Sequence, residues 1–94
     1  MPKSNQEKSS LGVIDGQIGK YTMLVTVMLT GVKAHRVRRF EGAGLLRPAR
    51  TEAGQRLYSD PQIELIKEIA KLEDESINLA GVKTILAMRR GERE

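Results

Sequence analysis

The sequence predicts a mainly α-helical fold of the winged helix-turn-helix class, with about four helices and a short two-stranded β-hairpin as the wing. Three observations predict it. Two short helical patterns meet at Gly31, as in a helix-turn-helix. An arginine-rich segment broken by Pro48 and Gly54 follows, and two capped amphipathic patterns complete the chain. The 94 residues suffice for one small domain.

The first helix is predicted between Thr22, a typical N-cap residue, and Gly31, a typical C-cap residue. Its core-facing stripe is expected to consist of Met23, Leu24, Val27 and Met28. Because the chain has one Phe, two Tyr and no Trp, the core must be mainly aliphatic. We therefore expect Met23, Met28 and Met88 to fill gaps in that core.

The second helix is predicted from Lys33 to Ala43, with Gly44 ending it. Val37 and Phe40 should face the core, while the basic residues point away from it. These outward residues are Lys33, His35, Arg36, Arg38 and Arg39. We expect Glu41 to pair with a nearby arginine.

Two extended pieces, around residues 46–48 and 56–58, are predicted to pair as a hairpin across residues 49–55. A two-stranded ribbon is not stable alone, so it must lie on the helices. Beside a helix-turn-helix, such a hairpin is a wing. It carries Arg50 and Arg56 and ends in Tyr58.

The last two helices begin at typical capping residues. Ser59-Asp60-Pro61 predicts a helix start, and apolar residues follow it at spacings of three and four to about Glu75. Asn78 is expected to cap the final helix. Its apolar face should contain Leu79, Val82, Ile85, Leu86 and Met88. We divide the chain into a flexible N-terminal extension (residues 1–20), a winged helix-turn-helix domain (21–90) and a tail (91–94).

The basic residues are concentrated in one part of the chain. Lys and Arg total 16 against 12 Asp and Glu, a net charge of +4. Residues 21–58 carry seven bases and two acids, a net charge of +5, whereas residues 59–94 carry a net charge of −2. Six of the seven bases are Arg, which forms paired hydrogen bonds with phosphates and guanine edges. This distribution favours a nucleic-acid partner.

Other function classes are disfavoured by what the sequence lacks. It has no Cys and one His, so neither a thiolate nor a histidine-rich metal site is available, and no catalytic constellation is apparent. We expect no enzyme activity and no cofactor. No apolar run is long enough to span a membrane, and residues 1–10 lack the apolar segment of a secretory signal. We therefore expect a cytoplasmic protein without a membrane partner.

Several spaced motifs resemble those of MerR-type winged-helix regulators. They are Thr30-Gly31-Val32, Val37-Arg38-Arg39-Phe40-Glu41, Gly44-Leu45-Leu46-Arg47-Pro48 and Gly54-Gln55-Arg56-Leu57-Tyr58-Ser59. The resemblance covers residues 21–87. Residues 77–83 are similar to the branch that holds heat-shock repressors and glutamine-synthetase repressors. This chain has Arg39-Phe40 where family members usually have an aromatic pair.

The resemblance implies a sequence-specific regulator that binds double-stranded DNA, a repressor acting as a dimer on a palindromic promoter site. Near the start of the second helix, His35 and Arg36 are expected to meet base edges, and Lys33 a base or a phosphate. The expected backbone contacts are Arg38, Arg50 and Arg56, with the Tyr58 hydroxyl as a further candidate, while the rings of Phe40 and Tyr58 are expected to pack in the core. Arg39 is expected either to contact a phosphate or to point elsewhere. A chaperone or a metabolic enzyme as regulatory protein partner is implied by the resemblance alone.

The means of dimerisation and two other functions stay open. We do not expect the long dimerisation helix or the effector domain of many relatives in a chain that ends at Glu94. Leu11–Ile18 is the favoured dimerisation segment, by analogy with the glutamine-synthetase-repressor branch, and the last helix, through Ile85 and Met88, is the other. The other functions are an excisionase-like architectural DNA-binding factor and a protein-interaction adaptor that uses the acidic helix over residues 60–75.

Overall fold

The computed structural model describes residues 13–14 and 17–91. Its elements are β1 (Val13–Ile14), β2 (Gln17–Ile18), α1 (Met23–Thr30), α2 (Ala34–Gly42), β3 (Ala49–Arg50), β4 (Arg56–Leu57), α3 (Asp60–Asp74) and α4 (Leu79–Arg89). The predicted winged helix-turn-helix fold is confirmed within these residues. Most of the predicted N-terminal extension and of the tail lies outside the described residues, so these domain boundaries stay predictions.

The turn between α1 and α2 is set by a cap and a glycine. The Thr22 side chain accepts a hydrogen bond from the Val25 N–H at 3.3 Å, as an N-cap residue does. Gly31 adopts a left-handed conformation with φ of 73°, and its N–H donates to the Val27 carbonyl. Only glycine adopts this conformation without strain, so the predicted end of α1 is confirmed.

The end of α2 has the hydrogen bonds of a Schellman motif. Gly44 has φ of 80°, and its N–H donates to the Glu41 carbonyl at 2.9 Å. The Leu45 N–H donates to the Phe40 carbonyl at 3.1 Å. Together these bonds satisfy carbonyls that the helix end would leave free, and they turn the chain toward the wing.

The wing pairs β3 with β4 in antiparallel register, Ala49 opposite Leu57 and Arg50 opposite Arg56. Its first strand begins later than the predicted residues 46–48. The Arg47 carbonyl accepts a hydrogen bond from the Gln62 side chain on α3 at 2.9 Å, and Leu46 is buried in the core. These contacts hold residues 46–47 against α3, so pairing starts only after Pro48.

The predicted starts of the last two helices are confirmed. Ser59 and Gln62 form a capping box at the start of α3, each side chain bonded to the other's backbone. The Asn78 side chain accepts a hydrogen bond from the Gly81 N–H at 2.8 Å and caps α4. Before α1, Tyr21 forms an antiparallel bridge with Tyr58, which ties the start of the domain to the base of the wing.

The core is aliphatic with two aromatic rings. Its buried residues are Val32, Val37, Phe40, Leu46, Tyr58, Ile63, Ile66, Ile69, Ala70, Leu72, Val82 and Leu86. The core positions predicted for Leu24, Met28 and Met88 are wrong, because these side chains are 71%, 73% and 58% exposed. The polar residues of α1, Thr26 and Thr30, share one face, which the pattern of the sequence would turn outward, but Thr26 is fully buried in the structure. Met88 lies two residues after buried Leu86, about 200° around the helix.

Candidate nucleic-acid interface

The outer face of α2 is cationic, because only two residues of this helix are buried in the core and its basic residues point away from them. Val37 and Phe40, three residues apart, are fully buried. At 100° per residue, this arrangement turns His35, Arg38 and Arg39 outward, and all three are exposed in the structure. Lys33, at the N-cap position, is exposed as well. The residues predicted to face a nucleic acid thus share one surface, with Arg36 at its edge.

Two of the arginines predicted to contact DNA form ion pairs with Glu73 of α3. Arg36 donates to the Glu73 Oε1 at 2.8 Å and to the Asp74 Oδ1 at 3.1 Å. Arg39 donates to both Glu73 oxygens, at 2.5 and 3.1 Å. Each guanidinium carbon also lies 5.8 Å from the centre of the Phe40 ring. In this conformation Glu73 holds both arginines near the rim of the α2 face.

The electrostatics of this cluster favour full ionisation. Burial alone would disfavour the charged form of Glu73, but the hydrogen bonds and charges of Arg36 and Arg39 outweigh it, so the pKa of Glu73 is lowered. The hydrogen bond that Arg36 donates to Glu73 is the main reason that the pKa of Arg36 is raised. The sequence alone does not predict the pairing of Glu73 with these arginines, because no local signal shows that α3 packs beside α2.

The wing presents two arginines side by side. Arg50 and Arg56 are opposite each other across the strands, an arrangement in which like charges repel. Arg50 is exposed and donates to the Gly54 carbonyl at 2.8 Å. The Nε of Arg56 donates to both oxygens of Glu41 on α2, each at 3.0 Å. The expected pairing of Glu41 with a nearby arginine is confirmed.

Tyr58 is the exception among the predicted contacts. Its side chain is fully buried, and its hydroxyl donates to the Glu41 Oε2 at 2.6 Å. Burial and the Glu41 carboxylate raise the pKa of Tyr58 well above its usual range, so the hydroxyl stays a donor. The contact of this hydroxyl with a phosphate stays a prediction; in this structure the hydroxyl is buried and bonded to Glu41. In this conformation Tyr58 positions Glu41.

Glu41 therefore connects the basic face of α2 to the wing. It lies on α2, one helical turn after Arg38, and contacts Arg56 on the wing. Residues three apart on a helix are about 5–6 Å apart at Cβ, so Arg38 lies beside the wing attachment. We name the set formed by Lys33, His35, Arg38, Arg39, Arg50 and Arg56, with Arg36 at its edge, the cationic surface.

The residues that the structure describes show two further things. No cluster of three acidic or histidine side chains among residues 13–14 and 17–91 is placed to hold a metal ion. None of the helices within the described part of the chain is long and apolar enough to cross a membrane.

Comparison with known proteins decides the family. Residues 21–89 match the MerR HTH family regulatory proteins. The chain belongs to the MerR family. The match contains every residue of the cationic surface, and it begins at Tyr21, the residue that bridges to the base of the wing. The predicted membership of the MerR family is confirmed.

Relatives within the MerR family include proteins of the predicted branch. The heat shock protein HspR of Streptomyces coelicolor is 38% identical over 69 residues, which cover 72% of this chain and 46% of that protein. The HTH-type transcriptional regulator GlnR of Bacillus anthracis is 33% identical over 70 residues, 74% of this chain and 54% of that protein. The HTH-type transcriptional repressor CarH of Myxococcus xanthus is 31% identical over 67 residues, 70% of this chain and 22% of that protein. This MerR chain thus spans about half the length of HspR and GlnR.

Proposed function

We propose that this MerR-family chain is a sequence-specific, double-stranded DNA-binding regulator of transcription in the cytoplasm. It acts as a repressor, as a dimer on a palindromic promoter site. The observation that carries the proposal is the cationic surface, in which the outer face of α2 is joined to a cationic wing through Glu41. The similarity to HspR, GlnR and the repressor CarH supports the same function.

The dimensions of α2 suit the major groove of DNA. An α-helix with its side chains is about 10–12 Å across, and the major groove is about 12 Å wide. Lys33 and His35 lie at the N-terminal end of α2, where helix-turn-helix proteins contact base edges. Arg38 and Arg50, on the helix and the wing, are placed for the phosphate backbone. In this arrangement base contacts specify the site, and phosphate contacts fix the register.

Arg36 and Arg39 enter the interface by exchanging partners. For Arg36 to meet a base edge, as the sequence predicts, its guanidinium must leave Glu73 and Asp74. A DNA phosphate carries the same charge as the carboxylate that it replaces, and Arg pairs well with either. Glu73 therefore holds the two side chains extended beside the groove-facing surface until DNA displaces it.

A dimer is needed because one copy of the chain contacts too few base pairs to specify a site. One α2 helix contacts only a few base pairs, which is too little information to select one site among the competitors in a genome. Two copies related by two-fold symmetry read a palindrome with half-sites one or more helical turns apart.

The adaptor function has less support, because the chain's own bases occupy most acids of α3. Asp60 pairs with Lys20 at 2.6 Å, Glu64 with Lys67 at 3.4 Å, and Glu68 with Arg89. With Glu73 held by two arginines, little of the predicted acidic surface is free for a basic partner.

Substitutions on the cationic surface test the proposal. Arg38→Ala and Arg50→Ala should each weaken binding to every duplex alike, by about 1 kcal/mol, and reduce the log–log salt slope by about 0.9. His35→Ala should cost about 1–3 kcal/mol on the selected site only, because it removes a base contact. Fluorescence anisotropy titrations over a range of salt concentrations measure both quantities.

The matched control for these substitutions is Arg89→Ala. Arg89 is also an exposed arginine, but it lies on α4 and pairs with Glu68. Binding by Arg38→Ala and Arg50→Ala that equals binding by Arg89→Ala would contradict the proposal. Chromosomal sites at recombination attachment sites, rather than at promoters, would point instead to the excisionase-like function.

A further inference from the structure

The C-terminal end of α3 carries acidic residues at a position where basic residues stabilise a helix. Glu73 and Asp74 are the last two residues of α3, and Glu75 is its C-cap. The partial negative charge of a helix C-terminus repels carboxylates that lie beside it. Glu73 is also only 21% exposed, and this burial disfavours its charged form. A carboxylate placed against both effects is expected to serve an interaction outside its own helix.

That interaction is with the two arginines at the rim of the α2 face. Arg39 donates to both Glu73 oxygens, and Arg36 donates to Glu73 and to Asp74. A carboxylate and a phosphate both offer a guanidinium a negative charge and a pair of acceptor oxygens. Glu73 therefore occupies the same donors that the arginines would offer to DNA. Because Glu73 belongs to the same chain, DNA has to compete with it wherever the protein binds.

Arg39 depends on Glu73 more than Arg36 does. Family members usually have an aromatic pair where this chain has Arg39-Phe40, so Arg39 adds a positive charge to the cationic surface. Its side chain stays 46% exposed while it pairs with Glu73. Both of its hydrogen bonds to α3 go to this one carboxylate, whereas Arg36 also has Asp74. Loss of the Glu73 charge would thus free Arg39 from α3 and free Arg36 in part.

We propose that Glu73 is an autoinhibitory residue, which takes the place of a DNA phosphate in the free protein and lowers the affinity of the cationic surface for every duplex. The inference deepens the proposed function and rests on it, since it names the residue that limits the affinity for DNA. Binding exchanges the ion pairs of Glu73 for contacts with DNA, so their loss offsets part of the binding free energy. The same ion pairs are lost on every duplex that the arginines contact, so Glu73 lowers all these affinities alike.

Fluorescence anisotropy titration of the full chain against a short duplex of random sequence tests this role. Glu73→Gln keeps the size of the side chain and removes its charge. It should bind about five- to thirtyfold more tightly than the wild type, the range expected for two partly exposed ion pairs. Glu75→Gln is the matched control, because it makes the same charge change at an exposed residue that forms no ion pair within the described part of the chain. It should change the affinity by less than about twofold, since solvent and salt screen an exposed charge.

The salt dependence of the same titrations separates an exchange of partners from a new contact. If DNA displaces Glu73, the arginines contact DNA in the wild type and in Glu73→Gln, and the number of neutralised phosphates is the same. The log–log salt plot of Glu73→Gln should then lie above that of Glu75→Gln with an equal slope. A slope steeper by about 0.9 or more would mean that the wild-type arginines stay on Glu73 in the complex, and it would overturn the proposal.

A double-mutant cycle shows whether the gain passes through the arginines. In an Arg39→Ala background, Glu73→Gln should lose most of its gain in affinity, because the arginine with both bonds to Glu73 is absent. In an Arg36→Ala background it should keep a larger share. An undiminished gain in the Arg39→Ala background would show that Glu73 acts as a general negative charge and would overturn the proposal. Circular dichroism confirms that each variant is folded.

The outcomes distinguish this inference from the proposed function. A chain that selects a palindromic site, while Glu73→Gln binds no more tightly than Glu75→Gln, would keep the proposed function and overturn the inhibitory role. A chain that binds random duplexes without selecting a site, and gains affinity through Glu73→Gln, would contradict sequence-specific regulation and leave the inhibitory role standing. Absence of binding to any duplex by the wild type and by Glu73→Gln would overturn both.

Discussion

Phe40→Ala is expected to lower the free energy of unfolding by about 3–5 kcal/mol, the largest effect of any substitution considered for this domain. The ring is fully buried, and Arg36 and Arg39 lie over it at 5.8 Å. Domains of this size are stable by only about 5–15 kcal/mol, so much of the margin would be lost. Urea denaturation followed by circular dichroism measures the change.

Met88→Ala is the control for that experiment, because its side chain is 58% exposed, and we expect a change within about 0.5 kcal/mol. A loss below about 1 kcal/mol for Phe40→Ala would show that α2 is not anchored through this ring.

Glu41→Ala is expected to cost about 2–3 kcal/mol of stability and to weaken DNA binding. Removing one partner of a buried ion pair costs about 3–5 kcal/mol, and Arg56 keeps 26% of its side chain exposed, which favours a lower value. The substitution also leaves the buried Tyr58 hydroxyl without its carboxylate partner. The wing would lose its attachment to α2, so the affinity for DNA should fall with the stability.

Two companion variants sharpen this test. Glu41→Gln retains an acceptor for Tyr58 but loses the charge that pairs with Arg56, so its cost should be intermediate. Glu52→Ala removes an exposed acid at the turn of the wing and should stay within about 0.5 kcal/mol of the wild type. Equal stabilities for Glu41→Ala and Glu52→Ala would rule out a joining role for Glu41.

The starts and ends of the helices could be predicted from the sequence because capping residues act through local hydrogen bonds. Thr22, Gly31, Ser59 and Asn78 each act through bonds to residues three or four positions away, and each lies where the pattern placed it. The face of α1 could not be predicted in the same way. Its two threonines lie on one face, and the helix turns Thr26 inward, so the polar pattern points the wrong way and packing against α3 sets the rotation.

The sequence predicts which basic residues form the cationic surface and that Glu41 pairs with an arginine, but it does not predict the pairing with Glu73. The cationic residues were identified from charge and position, whereas their partners lie far away in the chain. Glu73 is 34 residues from Arg39 and 37 from Arg36, and Glu41 is 15 from Arg56. Carboxylates therefore hold Arg36, Arg39 and Arg56, so part of the positive charge of the basic segment is already paired within the protein.

Selection of binding sites from random duplex DNA, followed by titration of the selected site, tests the central claim most directly. The account predicts a palindromic site bound at least about 10³-fold more tightly than a scrambled duplex at physiological salt, with affinity falling linearly on a log–log salt plot. Failure to enrich any sequence, or equal affinity for the selected and scrambled duplexes, would contradict it.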